Sequence, residues 1–146
     1  MTISLYLTSK INLSDKEWSL TEHSINHFQV DQGKFPISAL LQRIGDDYLL
    51  SIWGGAPHIG AVAMAQPRPS LADANRMSST ASVFCYVGHK EDELVKRISE
   101  RLSAALSAKV VVVAGLHWDN LLHEEIAQVL SNADLLVSMI LDREAK

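Results

Sequence analysis

The chain has 146 residues, of which 47% are hydrophobic and 21% charged, with a formal net charge of −4. That balance suits one globular domain over residues 1–146, large enough to bury about 68–70% of its unfolded surface without staples. It offers no long basic stripe for nucleic acid, and no apolar run approaches the roughly 20 residues of a membrane helix.

The lone cysteine, Cys85, cannot build an intrachain disulfide framework, so a reducing cytoplasm is the expected setting. Met1–Thr8 lacks a basic n-region and a long h-region, so no signal peptide is expected. Ile3, Leu5 and Leu7 alternate with Ser4 and Tyr6, the pattern of a short strand. Residues 19–30 form a second, less regular strand candidate. On a helix its His23 and His27, four apart, would share one face, which invites a zinc reading. With no further ligand nearby, a polar edge strand is the preferred reading over zinc.

From Pro36 the pattern is clearer. Residues 37–44 and 48–53 are apolar runs joined by Gly45-Asp46-Asp47, which predicts a hairpin. A turn at Gly54-Gly55-Ala56-Pro57 leads to a strand over 58–65, antiparallel to the second hairpin strand. Residues 66–78, with two prolines, read as a loop, and 79–87 as a fourth strand. Residues 90–106 form the clearest helix: Leu94, Ile98, Leu102 and Ala105 recur at helical spacing. Glu91, Asp92 and Glu93 complement its dipole, and Asp92–Lys96 and Glu93–Arg97 are i,i+4 pairs. Lys109–Gly115 reads as a strand covered on both faces. A helix capped by Asp119 or Asn120 then reaches Leu130, with Leu122, Ile126 and Val129 inward. A third helix follows from Asn132, carrying Leu135, Leu136, Met139 and Ile140 on one face; a strand over 135–141 is the alternative. Strands first and helices later predict an α+β domain, with a mostly antiparallel sheet and helices on one face.

Four pieces carry chemistry. Alternation over 58–65 puts Ile59, Ala61, Ala63 and Ala65 on one face, a flat patch for a packed helix or a ligand ring, with the helix preferred. His58 beside Gly60 on the other face makes a notch next to an imidazole, which donates, accepts or stacks. In Pro67-Arg68-Pro69-Ser70 the prolines order a guanidinium suited to phosphate, with Ser79 and Thr80 near; the alternative is a stiff solvated loop. Gly88-His89-Lys90 precedes a helix N-terminus, an anion site unless Glu91–Glu93 already satisfy it. Gly115-Leu116-His117 repeats this grammar. Three histidines at strand ends suggest zinc, but their spacing fits no compact motif, and residues 123–127 lack the second histidine of HExxH. No metal and no catalytic pair are expected.

These pieces resemble the LpdD-like family of prenylated flavin chaperones, associated with UbiD-class hydroxyarylic acid decarboxylases. The shared stretches are Gly54-Gly55, Pro57–Ala63, Pro67–Leu71, Ser79–Val83, Gly88–Leu94, and Gly115-Leu116-His117 with Asp119, in matching order from about residue 37 onward. The resemblance implies a non-catalytic homodimer, with a fold similar to the small proteasome assembly chaperones. It would hold reduced prenylated FMN and support its delivery to the apo-decarboxylase. On that background Arg68, with Ser79 or Thr80, takes the phosphate, and the Gly88–Lys90 helix start shares it. His58, His89 and His117 line the ring system, and Ile59 and Gly60 flank it. Trp53 and Trp118 are local choices that bear on a pocket wall or an interface. Two rival readings stand beside it: an accessory subunit that binds the decarboxylase but no cofactor, and a small metal hydrolase using the three histidines.

Overall fold

The computed structural model describes residues 24–146; the expected strand at Ile3–Leu7 and His23 lie outside them. Six strands form one sheet: β1 (Ile25–Val30), β2 (Ile37–Ile44), β3 (Asp47–Gly55), β4 (Ala61–Pro69), β5 (Met77–Cys85) and β6 (Val110–His117). Their order is β1-β2-β3-β6-β4-β5. Two helices complete the described chain, α1 (Asp92–Leu106) and α2 (His123–Glu144). The architecture is the expected α+β one.

The sequence explains the local choices. β2 and β3 close through a two-residue turn, Gly45-Asp46, in which Gly45 takes φ 61°, a left-handed conformation that glycine adopts without cost. Alternation sends Ala39 and Leu41 of β2, Leu50 and Ile52 of β3, Val110, Val112 and Ala114 of β6, and Ala61, Ala63 and Ala65 of β4 to one buried face. α1 covers β4, β5 and β6, and α2 covers β1 and β2. The small alanines of β4 let α1 lie close, so that flat patch is helix packing and not a ring platform. Leu94, Val95, Ile98 and Leu102 of α1 meet Ala133, Leu136, Val137 and Ile140 of α2 in one core.

Several expectations change. β4 does run antiparallel to β3, but β6 lies between them, parallel to β3 and antiparallel to β4. β6 is covered on one face only: Val111 and Val113 stay partly exposed. Residues 66–69 and 77–78 of the expected loop are strand, because β4 runs on past Ala65, whose partner Val110 is its last on β6, and there pairs with β5 alone. A proline without an N–H is tolerated on such an edge.

The two expected C-terminal helices are one. Asn132 at the supposed break is buried, and its Nδ2 donates to the carbonyls of Gln32 (3.0 Å) and Phe35 (2.9 Å). Its amide therefore fastens the helix instead of ending it. α2 starts at His123 after Leu122, whose N–H donates to Glu125 Oε2 at 3.0 Å. Asn120 sits outside the helix at φ 57°. Leu122 and Ile126 are exposed, while Val129 is buried as expected. Of the last group, Leu136 and Ile140 are inward, and Leu135 and Met139 point outward. On α1, Ala105 is exposed. Arg97 and Arg101 reach across to Asp134 of α2, at 3.0 and 3.9 Å, instead of Arg97 pairing with Glu93 along its own helix.

Among the described residues no element packs on the other face of the sheet. It presents Leu40, Met64 and Phe84, exposed, with Val62, Val111 and Val113 between them.

Candidate functional site

The site follows from the strand order. Because β6 sits between β3 and β4, the 56–60 segment must cross the C-terminal end of β6. It does so on backbone bonds: Ala56 N–H donates to the His117 carbonyl and Gly60 N–H to the Ala114 carbonyl, both at 2.9 Å. The crossing is possible only over glycine. A Cβ on Gly115 would lie 1.9 Å from the His58 carbonyl oxygen, and one on Gly55 would lie 1.9 Å from that of His117. Gly55 is also at φ 67°. On the helix-covered side, Trp118 fills the space over Gly54 and packs edge-on against Phe35, with ring centroids 5.4 Å apart. Trp118 is thus a packing residue beneath the site. Trp53 lies on the uncovered face, stacked with His27 at 6.3 Å.

The crossing delivers His58 to the end of β6, and the β5–α1 connection delivers His89 and Glu91 to the same place. The His58 and His89 rings are 4.7 Å apart, and His117 stands edge-on to His58 at 6.0 Å. The three predicted histidines are therefore brought together, although 59 positions separate His58 from His117 in the sequence. His58 Nδ1 faces the Ala56 carbonyl at 2.9 Å, and its Nε2 lies 3.2 Å from both His89 Nδ1 and Glu91 Oε1. His117 Nε2 is 3.1 Å from Asp119 Oδ1.

Glu91 is the residue that sequence reasoning missed. Its place among three acids at a helix start reads as dipole compensation. In the fold, its side chain turns away from α1 and is only 10% exposed. Oε1 accepts the Leu116 N–H at 3.1 Å and Oε2 the Lys90 N–H at 3.0 Å. Gly60 makes room for it: a Cβ there would come within 2.6 Å of the carboxylate. Burial by itself would push this carboxyl up. The N–H bonds from Leu116, Lys90 and its own backbone, then the His58 contact, outweigh burial and hold it below the usual carboxylate range.

Glu91 thus occupies the approach to the helix start, where Asp92 and Glu93 add further negative charge. The Gly88–Lys90 segment is acid-flanked and poorly suited to a phosphate. The Lys90 and Ile59 side chains are exposed at the rim.

Arg68, Ser79 and Thr80 lie at the opposite end of the sheet. From Ala61 to Arg68 along β4 is about 23 Å at roughly 3.3 Å per residue, more than the span of one flavin mononucleotide. Arg68 and Thr80 point to the uncovered face, across from Ser78 and Gln66. Ser79 points the other way: it is buried, and its hydroxyl donates to the Glu100 carbonyl of α1 at 2.7 Å. Its hydroxyl is committed to packing, which removes it from the phosphate set. Lys109 joins the Arg68 end instead, lining with Thr80, Gln66, Met64 and Val111 a shallow depression of about 370 Å³.

A family model described as the prenylated flavin chaperone LpdD-like domain matches residues 31–145. The chain belongs to the LpdD-like prenylated flavin chaperone family. This LpdD-like chain is 27% identical over 117 residues to Protein LpdD of Lactiplantibacillus plantarum, a match covering 78% of this chain and 81% of that one. Its fold is similar to a chain in the crystal structure of a novel chaperone complex for yeast 20S proteasome assembly. There the TM-score is 0.50 at 9% identity, over 85% of this chain and 96% of the other. That likeness concerns the fold alone, and it is the one the sequence led us to expect.

Proposed function

We propose that this LpdD-like protein carries reduced prenylated FMN as cargo and hands it to an apo UbiD-type aromatic acid decarboxylase, without doing chemistry on it. The observation that supports this is the convergence of His58, His89 and His117 at a rim where the backbone is pared to glycine. Imidazoles there can hydrogen-bond the polar edge of a flavin ring or stack on it, with Ile59 and Gly60 beside them. Among the described residues no wall closes over the rim, which suits a carrier that must release what it holds.

The separation of Arg68 from the histidines adds a condition. Both groups lie on the uncovered apolar face, at opposite ends. We infer that a second copy covers that face and that its Arg68 and Thr80 reach the histidine end to take the phosphate. A C2 pair with sheets face to face brings opposite ends together twice, so a homodimer would carry two sites.

The test is anaerobic titration of purified protein with FMN, reduced FMN and reduced prenylated FMN, followed by transfer to the apo-decarboxylase. Selective stoichiometric binding of the last ligand is expected, with loss of affinity in Arg68→Ala and an unchanged fold. Protein that rescues the decarboxylase while binding none of the three would favour an accessory subunit instead.

A further inference from the structure

We propose that His58 Nε2, His89 Nδ1 and Glu91 form a binding site for a divalent transition-metal cation of the zinc class, with one coordination position left open. This goes beyond the carrier reading and does not depend on it.

The argument begins with hydrogens. His58 Nδ1 lies 2.9 Å from the Ala56 carbonyl, which can only accept, so Nδ1 carries the proton. In the neutral ring Nε2 is then a bare lone pair. It points at a carboxylate oxygen 3.2 Å away and at a second imidazole nitrogen 3.2 Å away. His89 Nδ1 in turn stands 3.6 Å from the other carboxylate oxygen, Glu91 Oε2. With the His89 proton on its Nε2, two imidazole lone pairs and a carboxylate face one another, and a single cation among them satisfies all three groups. A single shared proton makes one good hydrogen bond among them, where a cation binds all three.

The dimensions agree. Ligand atoms about 2.0–2.1 Å from a tetrahedral ion stand roughly 3.3–3.4 Å apart. The two imidazole nitrogens at 3.2 Å, and the carboxylate oxygens at 3.2 Å from His58 and 3.6 Å from His89, bracket that value.

The supporting contacts are those of a metal site. The ligating histidine donates its other nitrogen to a backbone carbonyl, fixing tautomer and ring orientation. The carboxylate is aimed by two backbone N–H groups, from Leu116 and Lys90, yet each oxygen keeps a lone pair. Imidazole and carboxylate donors together suit zinc and its neighbours better than calcium or magnesium. The side chains of His58 and His89 are 24% and 32% exposed, so the cluster is open to solvent on one side. That leaves the fourth position for water, a ligand oxygen, or His117. Sequence spacing hides the set: two ligands are separated by one residue, and the third arrives from a different loop.

The experiment uses untagged, cargo-free protein stripped with a chelator and titrated calorimetrically with ZnCl2, then with CoCl2 followed by visible absorption. One equivalent is expected to bind, and Co2+ to show the intense bands of a four-coordinate ion. Glu91→Gln is nearly isosteric and keeps one acceptor oxygen of the two that meet the Leu116 and Lys90 N–H groups, and His89→Ala removes a partly exposed ring. Each is expected to weaken binding at least about tenfold with an unchanged circular dichroism spectrum. His123→Ala, outside the cluster at the start of α2, is the control and should bind like the parent. Absence of saturable one-to-one binding overturns the proposal, leaving His58, His89 and Glu91 as a hydrogen-bonded cluster. Equal weakening by His123→Ala, or parental affinity in Glu91→Gln, overturns it as well. Because no flavin is present, failure here leaves the carrier reading standing, and the converse also holds.

Discussion

Gly115 and Gly60 decide whether the histidine rim exists. At Gly115 the obstacle to a side chain is backbone, the His58 carbonyl at 1.9 Å, which cannot swing aside as a flexible side chain can. Gly115→Ala should therefore cost more than the roughly 1–3 kcal/mol of ordinary overpacking and lower flavin affinity by displacing His58. Gly88 is the contrast: it sits at φ 87° with nothing within 4 Å of a built Cβ. Gly88→Ala should cost only about 1–2 kcal/mol of backbone strain. Urea unfolding of the two variants, read at constant slope, checks the difference. The histidines were legible at this scale because each lies within two residues of a glycine near a strand end. Glu91 was not, since nothing in Glu91-Asp92-Glu93 says which carboxylate turns inward.

At the scale of elements, α2 is held to the sheet by polar contacts near its middle and its end. Asn132→Ala removes the donor to the Gln32 and Phe35 carbonyls and should cost about 1–3 kcal/mol, the price of leaving buried acceptors unmet. Near the other end, the Tyr48 hydroxyl donates to Glu144 Oε2 at 3.1 Å. Burial first, then that hydrogen bond, raises the Tyr48 phenol above its usual value. The folded state therefore keeps the proton longer than the unfolded chain. Its contribution is whole below about pH 10 and falls as pH rises above that. Thermal melts of Tyr48→Phe should lose roughly 0.5–1.5 kcal/mol at neutral pH and decline less than the parent in alkali. Periodicity in the sequence found α1, the β2–β3 hairpin and the inner row of β4. It misplaced Pro67–Pro69 because two prolines read as a loop until one knows that β4 outruns β6. It split α2 because a polar Asn132 in a helical run looks like a break, and only the carbonyls across the core show why it is not.

For the whole molecule, the proposed pairing makes a prediction that single chains cannot satisfy. Arg68→Ala and His58→Ala should each abolish tight flavin binding, yet co-refolding the two should recover part of it. In a hybrid dimer one site receives His58 from one copy and Arg68 from the other. Light scattering should give a dimer mass, and Met64→Glu with Phe84→Glu, both on the uncovered face, should give a monomer. Recovery by mixing monomeric variants, or none by mixing dimeric ones, would overturn the shared site.

The insertion of β6 between β3 and β4 also dictates when the chain becomes a protein. Before Val110 is made, β1–β3 and β4–β5 are two ribbons with no hydrogen bond between them. The strand that joins them is the last in the chain, and its parallel pairing with β3 closes a loop of some 60 residues. Such closure is slow, because ordering must precede its reward. The nascent chain therefore waits with both ribbons unjoined, and folding should appear as one late cooperative step. A ribosome-stalled chain ending before β6 should be protease-sensitive throughout, while one with β6 and α2 clear of the exit tunnel should become resistant all at once.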